Sequence, residues 1–366
     1  MNPGAAGLDH WRALQGARPS GSPAADRARR YCAAVLAGAG FAVNEQSFEY
    51  SRFPGTAATP VAGALLTLGI TACWLLRAAP EHWAPAAALA AAVALVAWLA
   101  GACTGDGVLT RSIARRNGTN LVATRGGSPP RTWLVAHLDT KWQPVSTLWR
   151  TAGIVVLALA VLASMVAAGA ALARRDVGGW WTAALVAAWL GGLPVMGSVV
   201  GTRGPGALDN ATGVAAVLAA SELLAAASNV GVLITDAEEL GLAGARAWAR
   251  DWTFAPGVAL NCDGIDDAGA MRLMYSGRAA PMQPTAAMQR AASAVGDAAR
   301  LMHLLPGVLT DSVALAARGW QTVTLSRGTL RTLSRIHTMT DDDAHMTGSG
   351  IPAAVQVLVV AATELC

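Results

Sequence analysis

The sequence predicts an α/β protein, a mixed and largely parallel sheet flanked by helices, with two helical hairpins of membrane-spanning length inserted into it. Three observations carry that prediction. In the polar parts of the chain, short apolar runs alternate with helical stretches, as in sheets covered on both faces. Four uncharged stretches, each near the ~20 residues a membrane helix needs, fall in two close pairs. Hydrophobic residues make up 54% of the 366 residues and charged ones only 14%, against a usual charged share of about 25%.

The first helix is expected over 25–40, "ADRARRYCAAVLAGAG", followed by a strand-like "FAVNEQSFEY". The four uncharged stretches are 57–76, 83–105, 151–173 and 177–202. Trp83, Trp149, Trp180 and Trp181 stand at or near their ends, where interfacial aromatics belong. The links 77–82 and 174–176 are so short that each pair reads as a hairpin that leaves and returns. The polar portions 1–56, 106–148 and 203–366 therefore lie on one side and are expected to form one domain, with hairpins at 57–105 and 149–202. Arg52, Arg111, Arg115, Arg116, Lys141, Arg150 and Arg203 lie on that side, against Arg77, Arg174 and Arg175 in the links. The positive-inside rule then puts the domain in the cytoplasm. With no charge inside the spans, no ion or proton path is visible; a lipid bilayer, not a transported solute, is the expected partner of the helices.

Further strands are expected at "NLVAT" (120–124), "TWLVAHLDT" (132–140), "NVGVLIT" (229–235) and "GVALNCD" (257–263), with "AMRLMYSG" and "QTVTLS" later. Helices are expected at 212–227, 241–252, "PTAAMQRAASAVGDAAR", "TDSVALAARG" and 350–365. The N-terminus shows no apolar core of a cleavable signal peptide. Net charge is +4, and no basic cluster alternates with aromatics, so no nucleic-acid partner is expected. Five scattered cysteines without CxxC spacing argue against both a disulfide framework and a thiolate zinc site.

In open α/β sheets ligands collect at the carboxyl ends of strands, and there the sequence concentrates its chemistry. "GVLITDAEELGLAG" runs from an apolar strand into Asp236, Glu238 and Glu239; such crowding is offset by a cation, used in catalysis, or relieved at a solvated helix N-terminus. "VAHLDT" puts His137 and Asp139 on one face of a strand end. "GALDNATG" places Asp209 just before a helix, "LNCDGID" places Asp263 at a strand end, and "RIHTMTDDD" places His337 in a late loop. Oxygen and imidazole donors of this kind suit two zinc ions.

The motifs "AHLDT", "LDNATG", "DAEELGLAG", "NCDG" and "HTMTD", in that order, resemble those of the co-catalytic zinc metallopeptidases of family 28, the bacterial leucyl aminopeptidase and aminopeptidase Y group. The resemblance spans nearly all the polar part of the chain and leaves the four apolar stretches outside. It implies a zinc-peptidase (phosphorylase/hydrolase-like) fold, two Zn²⁺ ions and a peptide substrate. His137 and Asp263 would complete one metal site, Glu239 and His337 the other, and Asp209 would bridge them. Glu238 would be the general base acting on a water shared by the two ions, Asp139 the carboxylate orienting His137, and Asp236 a structural or helix-capping acid. With the apolar stretches, it implies an integral protein of a bacterial inner membrane. The match departs from the family at Met339, where Pro is common, and at Asp311 and Ser312, which stand in for a Ser-Asp-His segment that shapes the substrate pocket. His345 is a rival ligand to His337. His10, His82 and His303 fit no motif and are expected at the surface or an interface. A single-zinc glutaminyl cyclase and a metal-free scaffold are the competing readings; retention of His137 and Asp263 speaks against the first, and the complete ligand set with Glu238 against the second.

Overall fold

Eight strands form one sheet in the order β1-β2-β4-β3-β5-β8-β6-β7. They are β1 (Ala42–Ser51), β2 (Arg115–Thr124), β3 (Thr132–His137), β4 (Val230–Thr235), β5 (Val258–Ile265), β6 (Ala270–Tyr275), β7 (Arg300–His303) and β8 (Gln321–Gly328). The central β4-β3-β5-β8 run is parallel, whereas β1-β2, β2-β4 and β8-β6 pair antiparallel. This computed structural model describes residues 3–126, 128–175, 177–226 and 229–366. The predicted helix 212–227 and the predicted link 174–176 each end on a residue outside the described ones, and so do the first two residues of the chain.

Why β3 is central is written in "TWLVAH". All six of its residues are buried, and successive side chains go to opposite faces. Leu134 and Ala136 join one core, Trp133 and Val135 the other. The first core is covered by α1 (Pro3–Ala13), α2 (Pro23–Gly38), α8 (Gly213–Leu223), α10 (Met282–Ala294) and α13 (Ile351–Glu364). The second is covered by α9 (Ala243–Asp251) and α11 (Asp311–Ala316), where Trp133, Trp248, Trp252 and Trp320 stack edge to face and tilted. Edge-to-face contacts add to simple area burial for such rings.

Helix α1 is not among the predicted elements, and His10 on it, expected at the surface or an interface, packs inside the domain. Its ring is buried, with Nδ1 2.7 Å from the Tyr31 hydroxyl and Nε2 3.2 Å from Glu222. His82 and His303 are exposed, as expected. The predicted helix "PTAAMQRAASAVGDAAR" ends early, at Ala294, and its last residue opens β7 instead.

The four apolar stretches form helices α3 (Thr59–Leu76), α4 (Ala84–Cys103), α6 (Thr147–Leu172) and α7 (Gly178–Met196), with a short α5 (Gly107–Thr110) between the two pairs and α12 (Leu330–Arg335) late in the chain. A π turn, Pro54–Ala58, extends α3 backwards. All four are long and apolar enough to cross a membrane. They pack into a bundle with its own core, including Ile70, Leu89, Leu157 and Ala188. Most large apolar side chains on the protein surface belong to them, among them Leu68, Leu95, Leu159, Val166 and Leu190. An apolar girdle of that extent marks contact with something other than water. Trp83, Trp149 and Trp180 are exposed at helix ends, but Trp181 is buried inside the bundle, contrary to expectation. Residues 197–202, expected within the last span, leave the helix and return along residues 140–143 through a Trp142–Gly201 bridge.

Candidate metal centre

Strand β3 ends on His137, and the chain then turns to place Asp139 beneath the β4 end. Both Asp139 carboxylate oxygens are taken: Oδ1 accepts from the Glu238 amide at 2.9 Å and Oδ2 from the Glu239 amide at 3.2 Å. His137 Nδ1 lies 3.1 Å from the Asp139 backbone carbonyl and 3.8 Å from its Oδ1. The carbonyl, more than the expected carboxylate, thus fixes this imidazole, while the carboxylate shapes the Glu238–Glu239 turn. That turn follows β4 directly, with Ala237 at φ 56°. Asp236 is structural, accepting from the Thr119 and Ala237 amides. It caps no helix, because α9 begins only at Ala243 and has no side-chain cap.

Asp209 sits in a kinked turn, Ala207–Thr212, four residues ahead of α8. Asn210 ties that turn to the end of β5: its amide donates to the Cys262 carbonyl, and its Oδ1 accepts from Gly213 and Gly264. Asp341 holds it from the other side, accepting from the Leu208 amide at 2.7 Å and the Asp209 amide at 3.2 Å. His337 follows α12 with φ 68°. Its Nδ1 is 2.9 Å from the hydroxyl of Thr147, in the first turn of α6.

Four loops and the end of β5 bring six of the seven predicted site residues together, all of them buried except the half-buried Asp263. Asp209 faces both histidines, Oδ1 3.0 Å from His137 Nε2 and Oδ2 2.9 Å from His337 Nε2. Asp263 Oδ1 lies 3.6 Å from the first imidazole, and Glu239 Oε1 lies 3.2 Å from the second. The result is two groups that share one carboxylate, His137–Asp209–Asp263 and Asp209–Glu239–His337, each with ligand atoms within 4.8 Å of one another. Glu238 lines the same cavity. Asp139 stands behind it. His345 is exposed and paired with Asp342.

The donor set fits a pair of cations. Both Nδ1 atoms are occupied, so both Nε2 atoms are directed at the carboxylates. Glu239 Oε1 is buried and, although 3.2 Å from His337 Nε2, receives no well-aligned hydrogen bond, an arrangement that costs free energy unless something else satisfies it. Second partners of this kind are what fix the ring orientation of ligating histidines.

Electrostatics separate the two adjacent glutamates. Burial would raise both carboxyls, but His337 and Lys141 hold Glu239 down at about 2. Burial, reinforced by the charges of Glu239, Asp311 and Asp263, drives Glu238 well above the usual carboxylate range despite the pull of His137. The two imidazoles hold Asp209 well below that range against its own burial. Groups whose environments push them apart in this way take different chemical roles.

Sequence reasoning did not single out three groups at this site. Lys141 Nζ is 2.5 Å from Glu239 Oε2, Thr147 holds His337, and Arg150 is buried against Gln143 and the Gly307 carbonyl. A usable signal existed for the first: it is the only lysine in the chain, two residues after Asp139. Asp311 is buried with its Oδ2 2.5 Å from the Thr235 hydroxyl, and burial pushes it up to about 7.

Residues 190–362 match the sequence profile described as "Peptidase family M28". The matched region contains Asp209, Glu238, Glu239, Asp263 and His337, while His137 and Asp139 precede it. No curated protein matches the chain in sequence. Among solved structures the fold is similar to an aminopeptidase from Aneurinibacillus sp. strain AM-1, with a TM-score of 0.59 at 12% identity over 99% of this chain and 93% of that one. It is also similar to BSAP, a zinc aminopeptidase from Bacillus subtilis, with a TM-score of 0.57 at 13% identity over 100% and 95%. Glutaminyl cyclase of Porphyromonas gingivalis superposes with a TM-score of 0.56 at 14% identity over 100% and 98%.

Proposed function

For a chain whose residues 190–362 belong to peptidase family M28, we propose a membrane-anchored metallopeptidase that uses two zinc ions and acts as an aminopeptidase. The single observation that carries this reading is the double-faced Asp209, whose two oxygens meet two different histidines. His137 and Asp263 would hold one ion, Glu239 and His337 the other, and Asp209 both. Zinc in such paired sites supplies Lewis acidity toward a carbonyl and a water acidic enough to attack at neutral pH.

The chain's own residues do the rest. Glu238, buried beside the clusters and raised in proton affinity, takes the proton of the attacking water and hands it to the departing amine. Asp139 holds the backbone of Glu238 and Glu239, so the base keeps its position as its protonation changes. Asp341 does the same for Asp209. The two-cluster arrangement favours hydrolysis over single-ion cyclisation of an N-terminal glutamine, which would leave one cluster without use.

The four apolar helices anchor the site at a bilayer, and the arginines near their domain-side ends favour a cytoplasmic domain, with a bacterial inner membrane as its home. Elemental analysis of detergent-purified protein after a zinc wash is the decisive measurement. Two zinc ions per chain, with release of amino-terminal residues from peptides, are expected. One ion moves the assignment to the cyclase, and none to a scaffold.

A further inference from the structure

The cavity at the candidate centre does not stop there. It measures about 750 Å³, is open along part of its length, and continues from Glu238 and Lys141 into the space between the two hairpins. Its far walls are Ala62 and Leu66 of α3, Val96 and Leu99 of α4, and Leu157 and Ala158 of α6. Leu66 is twelve residues from Pro54 and Leu157 ten from Thr147. At 1.5 Å per residue, both lie about 15 Å or more along their helices, near the middle of a hydrocarbon layer about 30 Å thick. The part of the cavity nearest the carboxylates is polar and the deep part has only hydrocarbon walls.

That shape limits its occupant. An extended peptide would carry unpaired amide groups past walls that offer no partner, which hydrocarbon surroundings penalise by several kcal/mol per group. An unbranched alkyl chain has no polar atoms to satisfy and is narrow enough. We propose that the substrate bears such a chain on its N-terminal residue and that the chain lies between the hairpins while the scissile amide sits at Glu238. This substrate class rests on the hydrolase reading above.

The test uses the full-length protein in nanodiscs and amino-acid anilides that differ only in alkyl length: α-aminobutyric acid, norleucine, α-aminooctanoic acid and α-aminodecanoic acid. Each buried methylene is expected to raise kcat/KM about fourfold until the slot is filled. Ala158→Phe, or Ala62→Phe from the opposite wall should the first not fold, is expected to flatten the series and leave the shortest substrate unchanged. As a readout apart from turnover, an α-aminodecanoic amide with a terminal diazirine should label peptides around Val96 and Leu157 in Glu238→Gln protein. A flat wild-type series with the shortest anilide still cleaved overturns the alkyl slot and leaves the peptidase. Labelling at Val96 and Leu157 with no anilide cleaved supports the slot and overturns the peptidase. Label that excess phospholipid removes, and the unlabelled amide does not, shows a bilayer lipid in the slot and also overturns the inference.

Discussion

Glu238 and Glu239 are neighbours in the chain, yet Glu239 is held ionised by His337 and Lys141 while Glu238 is pushed toward its protonated form. The turn makes this possible, because Asp139 anchors both amides and lets the side chains diverge. Glu238→Gln keeps the shape and removes the proton acceptor. It should lower kcat by about 10²–10⁴-fold with zinc content by elemental analysis unchanged; unchanged turnover would remove Glu238 from the base role. Thr147→Val takes away the partner of His337 Nδ1, and loss of such a partner typically costs about 10–100-fold in metal affinity, measurable by competition with a chromogenic chelator. His137, Asp236, Glu238, Glu239 and Asp263 were legible in the sequence because they stand at or just past the ends of apolar runs, and Asp209 and His337 because of the motifs around them. Thr147 was not, since a threonine opening an apolar helix looks the same whether or not a histidine loop folds against it.

At the level of elements, the two hairpins differ from the sheet in what holds them. Small residues set the close approach of α6 and α7. A Cβ at Gly153 would lie 2.7 Å from the Gly191 carbonyl oxygen, and one at Gly191 would lie 2.6 Å from the Leu157 amide nitrogen. Overpacking costs about 1–3 kcal/mol, so Gly191→Leu should lower the melting midpoint in detergent by several degrees. Gly169→Leu on the same helix pair, with open space around its Cβ position, should leave it unchanged; equal shifts would show the crossing to be soft. The parallel strands β3, β4 and β5 announce themselves as buried apolar runs. Strands that run over polar residues are harder to read: β1, which spans "NEQS", was strand-like in the sequence over 41–50, whereas β2, which spans "RRNGTN", was predicted only over 120–124. Strand β7 is four residues long and mostly exposed, and the alanine-rich helical pattern before it carried the helix prediction past Gly296 as far as Arg300.

For the whole molecule, two measurements follow. EDTA dialysis should abolish hydrolysis, and zinc should restore it without refolding; activity that survives metal removal would count against the centre. Cys366 is exposed, whereas Cys32, Cys73, Cys103 and Cys262 are buried. A membrane-impermeant maleimide should therefore label inverted vesicles and spare intact cells if the domain is cytoplasmic, and the reverse pattern would place it outside.

Strand β1 precedes the first hairpin and β2 follows it, yet the two pair along ten residues, from Ala42 with Thr124 to Ser51 with Arg115. Likewise β3 precedes the second hairpin and β4 follows it, and the two lie side by side. Each pair of apolar helices is thus a detour that starts and finishes within the same sheet. With the helices anchoring the protein as proposed above, a single proteolytic nick would not shed it: wherever one link is cut, the sheet still stitches the fragments together. A soluble version would need two excisions and two new splices, so sheddase-type release would not set its location.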